Sequence, residues 1–254
     1  MRCCGMVFAV VTLVGCEPGA GVLVPGAQDT GPDDGDVDTD GARLAPADRP
    51  SQWLLVVEND WTLDRWPDRP VDAHFSWLGI AVHDADVTLW EEGMLATPGF
   101  TAMAEWGGTT TMLEELMEQP GVSTTYEFRQ WTCPEGIVQE QCQDSGHLIT
   151  VEPETPLFSM ATMLGPSPDW FVGVHDVPLV QGEWWVDEVV VDLHAFDAGT
   201  RDANTWEMYG PLTTPPEPIH AVTEATGQLV GTERMGRLIL QRRDPATAAT
   251  GPGR

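Results

Sequence analysis

Short apolar runs separated by turn residues dominate the pattern of this chain. Short, mostly apolar stretches occupy 53–57, 157–164, 170–174 and 238–240, a pattern that is typical of strands buried in a sheet. Positions 186–196 differ, because apolar and polar residues alternate there with a period of two. That alternation predicts a strand with one buried and one exposed face. The buried face is predicted to consist of Val189, Val191, Leu193 and Ala195.

One helix interrupts the predicted strands. Thr111 and Glu114 have the spacing of a capping box, in which two side chains satisfy backbone amides at the start of a helix. Pro120 and Gly121 end the segment. Many short strands with only one or two short helices predict an all-β fold, an antiparallel β-sandwich over 51–244. The helix is predicted to bury an apolar stripe formed by Met112, Leu113, Leu116 and Met117.

The first sixteen positions have the features of an export signal. Arg2 provides a positive start, and the apolar stretch 6–14 is too short to span a bilayer. The sequence Leu-Val-Gly-Cys at 13–16 resembles the bacterial lipobox, in which Cys16 is acylated. We therefore expect 1–16 to be a lipoprotein signal and the exported protein to be anchored to a membrane, facing the periplasm or the cell surface. The alternative is an ordinary signal peptide that is cut at a nearby small residue.

Positions 17–50 are predicted to form an acidic, disordered tether. Five aspartates lie between 33 and 40 among Gly, Pro and Thr, and such a segment cannot bury enough apolar surface to fold. The alternating aspartates are not followed by the Gly-x5-Glu ending that completes an EF-hand loop, which argues against calcium binding there. The last positions, 245–254, are predicted to be a disordered tail.

The cysteines fit an exported protein. Cys3 and Cys4 would be removed with the signal, and Cys16 would carry lipid. Cys133 and Cys142 remain, an even pair in an oxidising compartment, and we expect them to form a disulfide. The alternative is two unpaired, buried thiols.

The charge balance excludes one class of function. The chain has 40 acidic residues against 12 basic ones, all of them Arg, so its formal net charge is −28. Nucleic acid is excluded as a partner, because its binding needs clustered cations. The sequence has no G-x-S-x-G, H-E-x-x-H or Gly-rich phosphate motif, which favours a protein that is not an enzyme. Most of the 11 Trp are expected in the core, although exposed Trp and carboxylates would suit the alternative function, an exported hydrolase or glycan-binding module.

Two aspartates stand beside turn residues at predicted strand ends. Asp169 precedes the run 170–174 within Pro-Ser-Pro-Asp, and Asp197 follows the alternating segment within Asp-Ala-Gly-Thr. Hard oxygen ligands on neighbouring loops of a rigid sheet are what Ca²⁺ prefers. Aspartate is also a common turn residue, so the alternative is that both side chains only cap turns by accepting backbone amides.

Several longer motifs point to a known family. They are His-Phe-Ser at 74–76, Leu-Trp-Glu-Glu-Gly at 89–93, Ala-Glu-Trp-Gly at 104–107, Pro-Ser-Pro-Asp-Trp-Phe-Val-Gly at 166–173 and Asp-Ala-Gly-Thr at 197–200. In this order they resemble the spondin amino-terminal domain (F-spondin/mindin-like), here in the form of a bacterial lipoprotein, over most of 53–243.

The resemblance implies an eight-stranded antiparallel β-sandwich with a calcium ion near one end. It also implies the ligands of that ion, which are the carboxylates of Asp169 and Asp197 and the main-chain carbonyl of Phe196. The implied activity is non-catalytic recognition or adhesion outside the cell. Its partner would be a surface or extracellular protein or glycan, with membrane contact only through the lipid anchor.

The sequence departs from the family at two places that concern this site. A further acidic ligand has no fixed counterpart: Thr150 falls near its position, and Glu152 or Glu154 would replace it after a small shift. Arg201 stands where the family has an aspartate after Asp-Ala-Gly-Thr. The resemblance therefore implies two carboxylate ligands directly and leaves the third open.

Overall fold

The computed structural model describes residues 45–137, 140–142, 146–222 and 233–243. Within these ranges the chain forms short antiparallel strands and two helices. The strands are β1 (Ala45–Pro46), β2 (Ser51–Asn59), β3 (His74–Phe75), β4 (Leu78–His83), β5 (Val122–Phe128), β6 (His147–Val151), β7 (Leu157–Gly165), β8 (Trp170–Pro178), β9 (Val180–Gln181), β10 (Trp184–Trp185), β11 (Glu188–Leu193), β12 (Ala195–Asp197), β13 (His220–Ala221) and β14 (Gly236–Arg242). The helices are α1 (Pro98–Trp106) and α2 (Thr110–Met117).

Two large sheets carry the fold. The smaller has the order β11-β14-β2-β6, and the larger has the order β13-β12-β8-β7-β4-β5, with β3 paired to β7. Strands β1, β10 and β9 form a small third sheet. The described strands of five residues or more are eight in number, four in each large sheet: β2, β6, β11 and β14, and β4, β5, β7 and β8. This arrangement confirms the predicted eight-stranded antiparallel β-sandwich and adds short strands at its margins.

The main core draws on both large sheets. Trp53 and Leu55 of β2 are fully buried and share one apolar cluster with Ile80 of β4 and Met160 of β7. Alternation along β11 and β12 is confirmed, because the predicted inner face is buried while Asp192 is exposed. The buried residues of that face are Val189, Val191, Leu193 and Ala195. Six of the 11 Trp are buried, in line with the expectation for the core: Trp53, Trp61, Trp66, Trp90, Trp170 and Trp185.

A second apolar cluster joins the two helices to the larger sheet. Phe100 of α1 and Met112 of α2 belong to it together with Ala161 of β7 and Phe171 of β8. Strands β7 and β8 therefore contribute to clusters on both faces of their sheet, which explains the mostly apolar runs that predicted them. The helices approach closely at Gly99, where an added Cβ would lie 2.5 Å from the backbone of Met112.

The start of α2 differs from the prediction. The helix begins at Thr110 with Thr109 as its N-cap, and no side chain bonds there as a cap, so the predicted capping box of Thr111 and Glu114 is wrong. The Thr109 hydroxyl donates instead to Glu127 Oε1 of β5 at 2.8 Å. The Thr109 hydroxyl thus donates to a tertiary acceptor and accepts no backbone amide of its own helix, and the helix is held by packing. Met117, predicted in the apolar stripe, is 53% exposed.

Helix α1 is the second of the one or two short helices that were predicted. Its N-cap is Thr97, whose hydroxyl accepts from the amide of Phe100 at 3.1 Å. The helix ends at Gly107, which adopts a left-handed φ of 71° as helix-terminating glycines commonly do. Glu115 of α2 accepts from the Thr97 hydroxyl and the Gly99 amide, so each helix contributes to fixing the other.

Residues 45–50, the last part of the predicted tether, lie on the sandwich. Strand β1 pairs with β10, the Ala47 amide donates to the Glu183 carbonyl, and Trp185 Nε1 donates to the Arg49 carbonyl. The folded unit therefore includes these six positions. The predicted signal with Cys16, the rest of the predicted tether and the predicted tail lie outside the described residues. None of the described helices has the length and apolar character needed to cross a bilayer.

The two remaining cysteines are paired as predicted. Cys133 and Cys142 form a disulfide with their Cα atoms 5.5 Å apart. The bond lies in the connection between β5 and β6, where Trp131 forms a bridge with Cys142. Because the thiols are joined, the alternative of two free buried cysteines is wrong.

Candidate calcium site

The two predicted aspartates meet where β8 begins and β12 ends. Asp197 is the last residue of β12 and pairs with Trp170, the first residue of β8, while Asp169 directly precedes Trp170. The Ala198 amide donates to the Asp169 carbonyl at 3.2 Å, which continues this pairing by one step. Asp169 is completely buried and Asp197 is 7% exposed. Antiparallel pairing therefore joins two carboxylates that lie far apart in sequence.

The carboxylate oxygens of Asp169 have unlike surroundings. Oδ2 accepts three hydrogen bonds, from the Thr200 amide at 2.7 Å, the Thr200 hydroxyl at 3.0 Å and the Arg201 amide at 2.8 Å. Oδ1 is buried and has no hydrogen-bond partner among the described residues. A buried carboxylate oxygen without a partner is costly, and such an atom is a natural ligand for a cation.

Asp197 is held by one backbone and one side-chain donor. The Gly199 amide donates to Oδ1 at 2.7 Å, and Trp170 Nε1 donates to Oδ2 at 3.0 Å. Gly199 has a φ of 71°, and a Cβ there would lie 2.1 Å from the Glu217 carbonyl oxygen, so only glycine fits this turn. Both aspartates therefore cap turns, as the alternative expected, yet capping does not account for Oδ1 of Asp169.

Electrostatics favour a proton or a cation between these side chains. Burial, together with the charge of Asp197, raises the pKa of Asp169 to about 7, against the effect of its three hydrogen bonds. Burial also raises the pKa of Asp197, and Glu217 adds to the rise, whereas the Gly199 amide and His220 oppose it. Two carboxylates in low dielectric repel each other when both are ionised. The donor set of this structure, one orphaned oxygen beside a second carboxylate, fits a divalent cation.

The other predicted ligands are distributed differently. Phe196 lies inside the larger sheet, opposite Phe171 on one side and Ala221 on the other. A carbonyl in a strand ladder still has a second lone pair, so its role as a ligand stays a prediction. Glu152 lies in the turn that follows β6, a strand of the smaller sheet. The Thr155 amide donates to the Glu152 main-chain carbonyl. Among the described residues no third His, Cys, Asp or Glu joins the two aspartates in a metal-binding group.

Sequence reasoning missed an ion pair beside the site. Arg201, where the resemblance implied an aspartate, contacts Glu105 Oε2 with Nη2 at 2.5 Å and donates from Nη1 to the Gly210 carbonyl at 3.0 Å. This hydrogen bond to Glu105 raises the pKa of Arg201. The guanidinium is thus engaged with Glu105, while the backbone amide of the same residue serves Asp169. The departure from the family pattern was the only signal of a special role.

The histidine–serine contacts within the described part of the chain are buried. His83 Nε2 lies 2.7 Å from Ser159 Oγ, and its Nδ1 lies 2.7 Å from the Asp84 carbonyl. Both His83 and Ser159 are completely buried. An acyl-transfer nucleophile must meet its substrate, so this contact is a polar link within the core and not an accessible nucleophile and base.

The fold and the site define a small antiparallel β-sandwich domain with a buried acidic pair where two paired strands end. The chain belongs to the Spondin_N family, whose model matches residues 51–228. It is 33% identical to human Spondin-1 over 178 residues, which is 68% of this chain and 22% of Spondin-1. It is 26% identical to human Spondin-2 over 194 residues, which is 73% of this chain and 56% of Spondin-2. The match thus spans about half the length of Spondin-2 and about a fifth of Spondin-1.

Proposed function

We propose that this chain is an exported, lipid-anchored, calcium-binding member of its family that recognises a protein or glycan at the cell surface or outside the cell, without catalysis. Membership of the Spondin_N family supports the recognition role. The lipobox resemblance at 13–16 supports the anchor. The observation that carries calcium binding is the buried, unpartnered Oδ1 of Asp169 beside the carboxylate of Asp197.

Calcium fits this donor set for a physical reason. Ca²⁺ takes about six to eight oxygen ligands, and it accepts carboxylate, carbonyl and water oxygens together. Asp169, Asp197 and the Phe196 carbonyl would supply the protein ligands, and water would complete the shell. A divalent ion would neutralise the repulsion between the two carboxylates and give Oδ1 of Asp169 a partner. Its contribution would be structural, because it would fix the turn that follows β12 to the start of β8.

We propose the absence of catalysis because Ser159, the serine that contacts His83, is buried. The Ser159 hydroxyl, which is the serine in closest contact with a histidine among the described residues, has no exposed surface. A panel of glycan and ester substrates should therefore remain unhydrolysed by the purified chain. Turnover that is lost in a Ser159→Ala variant would contradict this part of the proposal.

The test of calcium binding is thermal unfolding of wild type and of Asp169→Asn/Asp197→Asn, with added calcium and with chelator. Binding to the folded state alone stabilises by about 2.7 kcal/mol at a hundredfold excess over the dissociation constant. For a domain of this size that corresponds to a rise of about 5–10 °C in the midpoint. We expect the rise in wild type and its loss in the double variant.

A matched control removes the same charge elsewhere. Asp64 and Asp68 are exposed, so Asp64→Asn/Asp68→Asn should keep the full calcium-dependent rise. An equal rise in all three proteins would mean that calcium acts through general charge screening or at another site. No rise in wild type would refute calcium binding altogether.

A further inference from the structure

Two aromatic side chains form an exposed pair next to the Glu105–Arg201 contact. Trp106 is the last residue of α1, and Tyr209 lies in the loop after β12. Their ring centroids are 4.9 Å apart with an interplanar angle of 50°. Trp106 is 51% exposed and Tyr209 is 65% exposed. We call this pair the aromatic platform; large apolar side chains placed together in water are typical of binding surfaces.

Two hydrogen bonds join the start of the loop that carries Tyr209 to the residues directly after Tyr209. Arg201 Nη1 donates to the Gly210 carbonyl, and the Asp202 amide donates to the Pro211 carbonyl at 2.8 Å. Because Arg201 also contacts Glu105, the neighbour of Trp106, one guanidinium connects both halves of the aromatic platform. The two rings therefore stand on a defined framework.

Tyr209 also has an unfavourable backbone conformation. Its φ is 73°, in the left-handed region that a bulky side chain rarely adopts. Because the Tyr209 ring is largely exposed, its burial contributes little free energy to offset the cost of this backbone conformation. Strained residues that the surrounding structure holds in place occur preferentially at binding sites. This conformation therefore favours a role for Tyr209 in a binding surface.

The charges around the aromatic platform select a cationic partner. The cation of Arg201 is paired with Glu105, whereas Asp202 and Glu207 of the same loop are exposed and form no ion pair within the described residues. The whole chain carries a net charge of −28, which attracts cations over a longer range. Guanidinium groups stack on Trp and Tyr faces and are also drawn to carboxylates.

We propose that the aromatic platform of Trp106 and Tyr209 binds an arginine-containing basic segment of an extracellular protein. This inference deepens the proposed recognition role and rests on it. A neutral glycan could stack on the same rings but would gain nothing from Asp202, Glu207 or the net charge. The chemistry therefore favours a basic peptide over a sugar.

The test measures binding of three probes to the full chain at 0.15 M salt: nonaarginine, nonalysine and maltoheptaose. Each exposed cation–π contact corresponds to about a two- to fivefold change in affinity. Trp106→Ala and Tyr209→Ala should each weaken nonaarginine binding by that factor, and Tyr209→Phe should restore it. Nonalysine should bind more weakly than nonaarginine and respond less to these variants.

Trp184→Ala is the matched control, since Trp184 is another exposed tryptophan, 43% exposed on β10. It should leave nonaarginine binding unchanged. The inference is overturned if Trp184→Ala has the same effect, if the two platform variants bind as wild type does, or if maltoheptaose is the probe that they lose. Each variant is also tested for calcium-dependent stabilisation: normal stabilisation with no platform-dependent binding refutes this inference alone, whereas its absence in wild type refutes calcium binding.

Discussion

Asp169→Asn should stabilise the calcium-free protein and destabilise the calcium-loaded one. In the folded protein, burial and the charge of Asp197 raise the pKa of Asp169 from 3.8 to about 7. Each unit corresponds to about 1.36 kcal/mol, so ionised Asp169 lowers the free energy of unfolding by about 4 kcal/mol relative to its protonated form.

The sign of the pH dependence follows from the direction of the shift. A carboxyl whose pKa is raised by folding binds its proton more tightly in the folded than in the unfolded state. Without calcium, the Asp169 contribution should therefore favour folding increasingly as the pH falls from about 7 to about 4. At pH 8 the carboxylate is ionised in both states and its destabilising effect is complete.

Asparagine at position 169 carries no charge and removes this dependence. At pH 8 in calcium-free buffer the variant should be more stable than wild type, by up to about 4 kcal/mol. The gain is limited because the carboxylate accepts three hydrogen bonds that asparagine makes less strongly. With saturating calcium the order should reverse, because the variant lacks a charged ligand.

Denaturant unfolding followed by Trp fluorescence at pH 5–8 measures these differences. The 40 acidic residues repel one another, so only the difference between wild type and variant reports on Asp169. Asp64→Asn serves as the control for loss of one exposed charge. A wild-type-minus-variant difference that stays constant over this pH range would refute the reasoning, as would a calcium-free wild type that is the more stable protein at pH 8.

Two further predictions concern the covalent features of the chain. Cys16→Ser should transfer the protein from the membrane fraction to the soluble exported fraction, because two or more acyl chains are needed for stable anchoring; unchanged membrane partition would contradict acylation. Reduction of Cys133–Cys142 should lower the free energy of unfolding by roughly 2–3 kcal/mol through the entropy of the opened loop. Adding reductant should not change the stability of the Cys133→Ser/Cys142→Ser variant, which has no bond to reduce. Rapid alkylation of both wild-type thiols without reductant would refute the bond.

The strands could be predicted because the local pattern of apolar and polar residues indicates which of their faces are buried. The alternation of Val189, Val191 and Leu193 identified a half-buried strand, and the mostly apolar run at 157–164 identified β7, which contributes to two apolar clusters. The first residue of α2 could not be predicted from the sequence. The hydroxyl of Thr109 bonds to Glu127 on a strand, and no local pattern contains that partner.

The proximity of the two aspartates could be predicted, whereas the hydrogen bonds of their oxygens could not. Asp169 and Asp197 stood out beside turn residues at strand ends, and the family resemblance joined them. Which oxygen lacks a partner is decided by the path of the backbone after Asp197, which brings two consecutive amides to Oδ2 and none to Oδ1 of Asp169. Likewise, the contact of Arg201 with Glu105 joins distant segments and follows from tertiary structure alone.

Arg201 connects the candidate calcium site with the aromatic platform. The amide of Arg201 donates to Asp169, while its side chain holds Gly210, next to Tyr209, and Glu105, next to Trp106. An ion between the aspartates would fix the backbone of Arg201, and a fixed Arg201 would fix both halves of the aromatic platform. In this arrangement calcium would promote recognition by ordering the residues that present the two rings. Such ordering lowers the entropic cost of binding without any contact between the ion and the ligand.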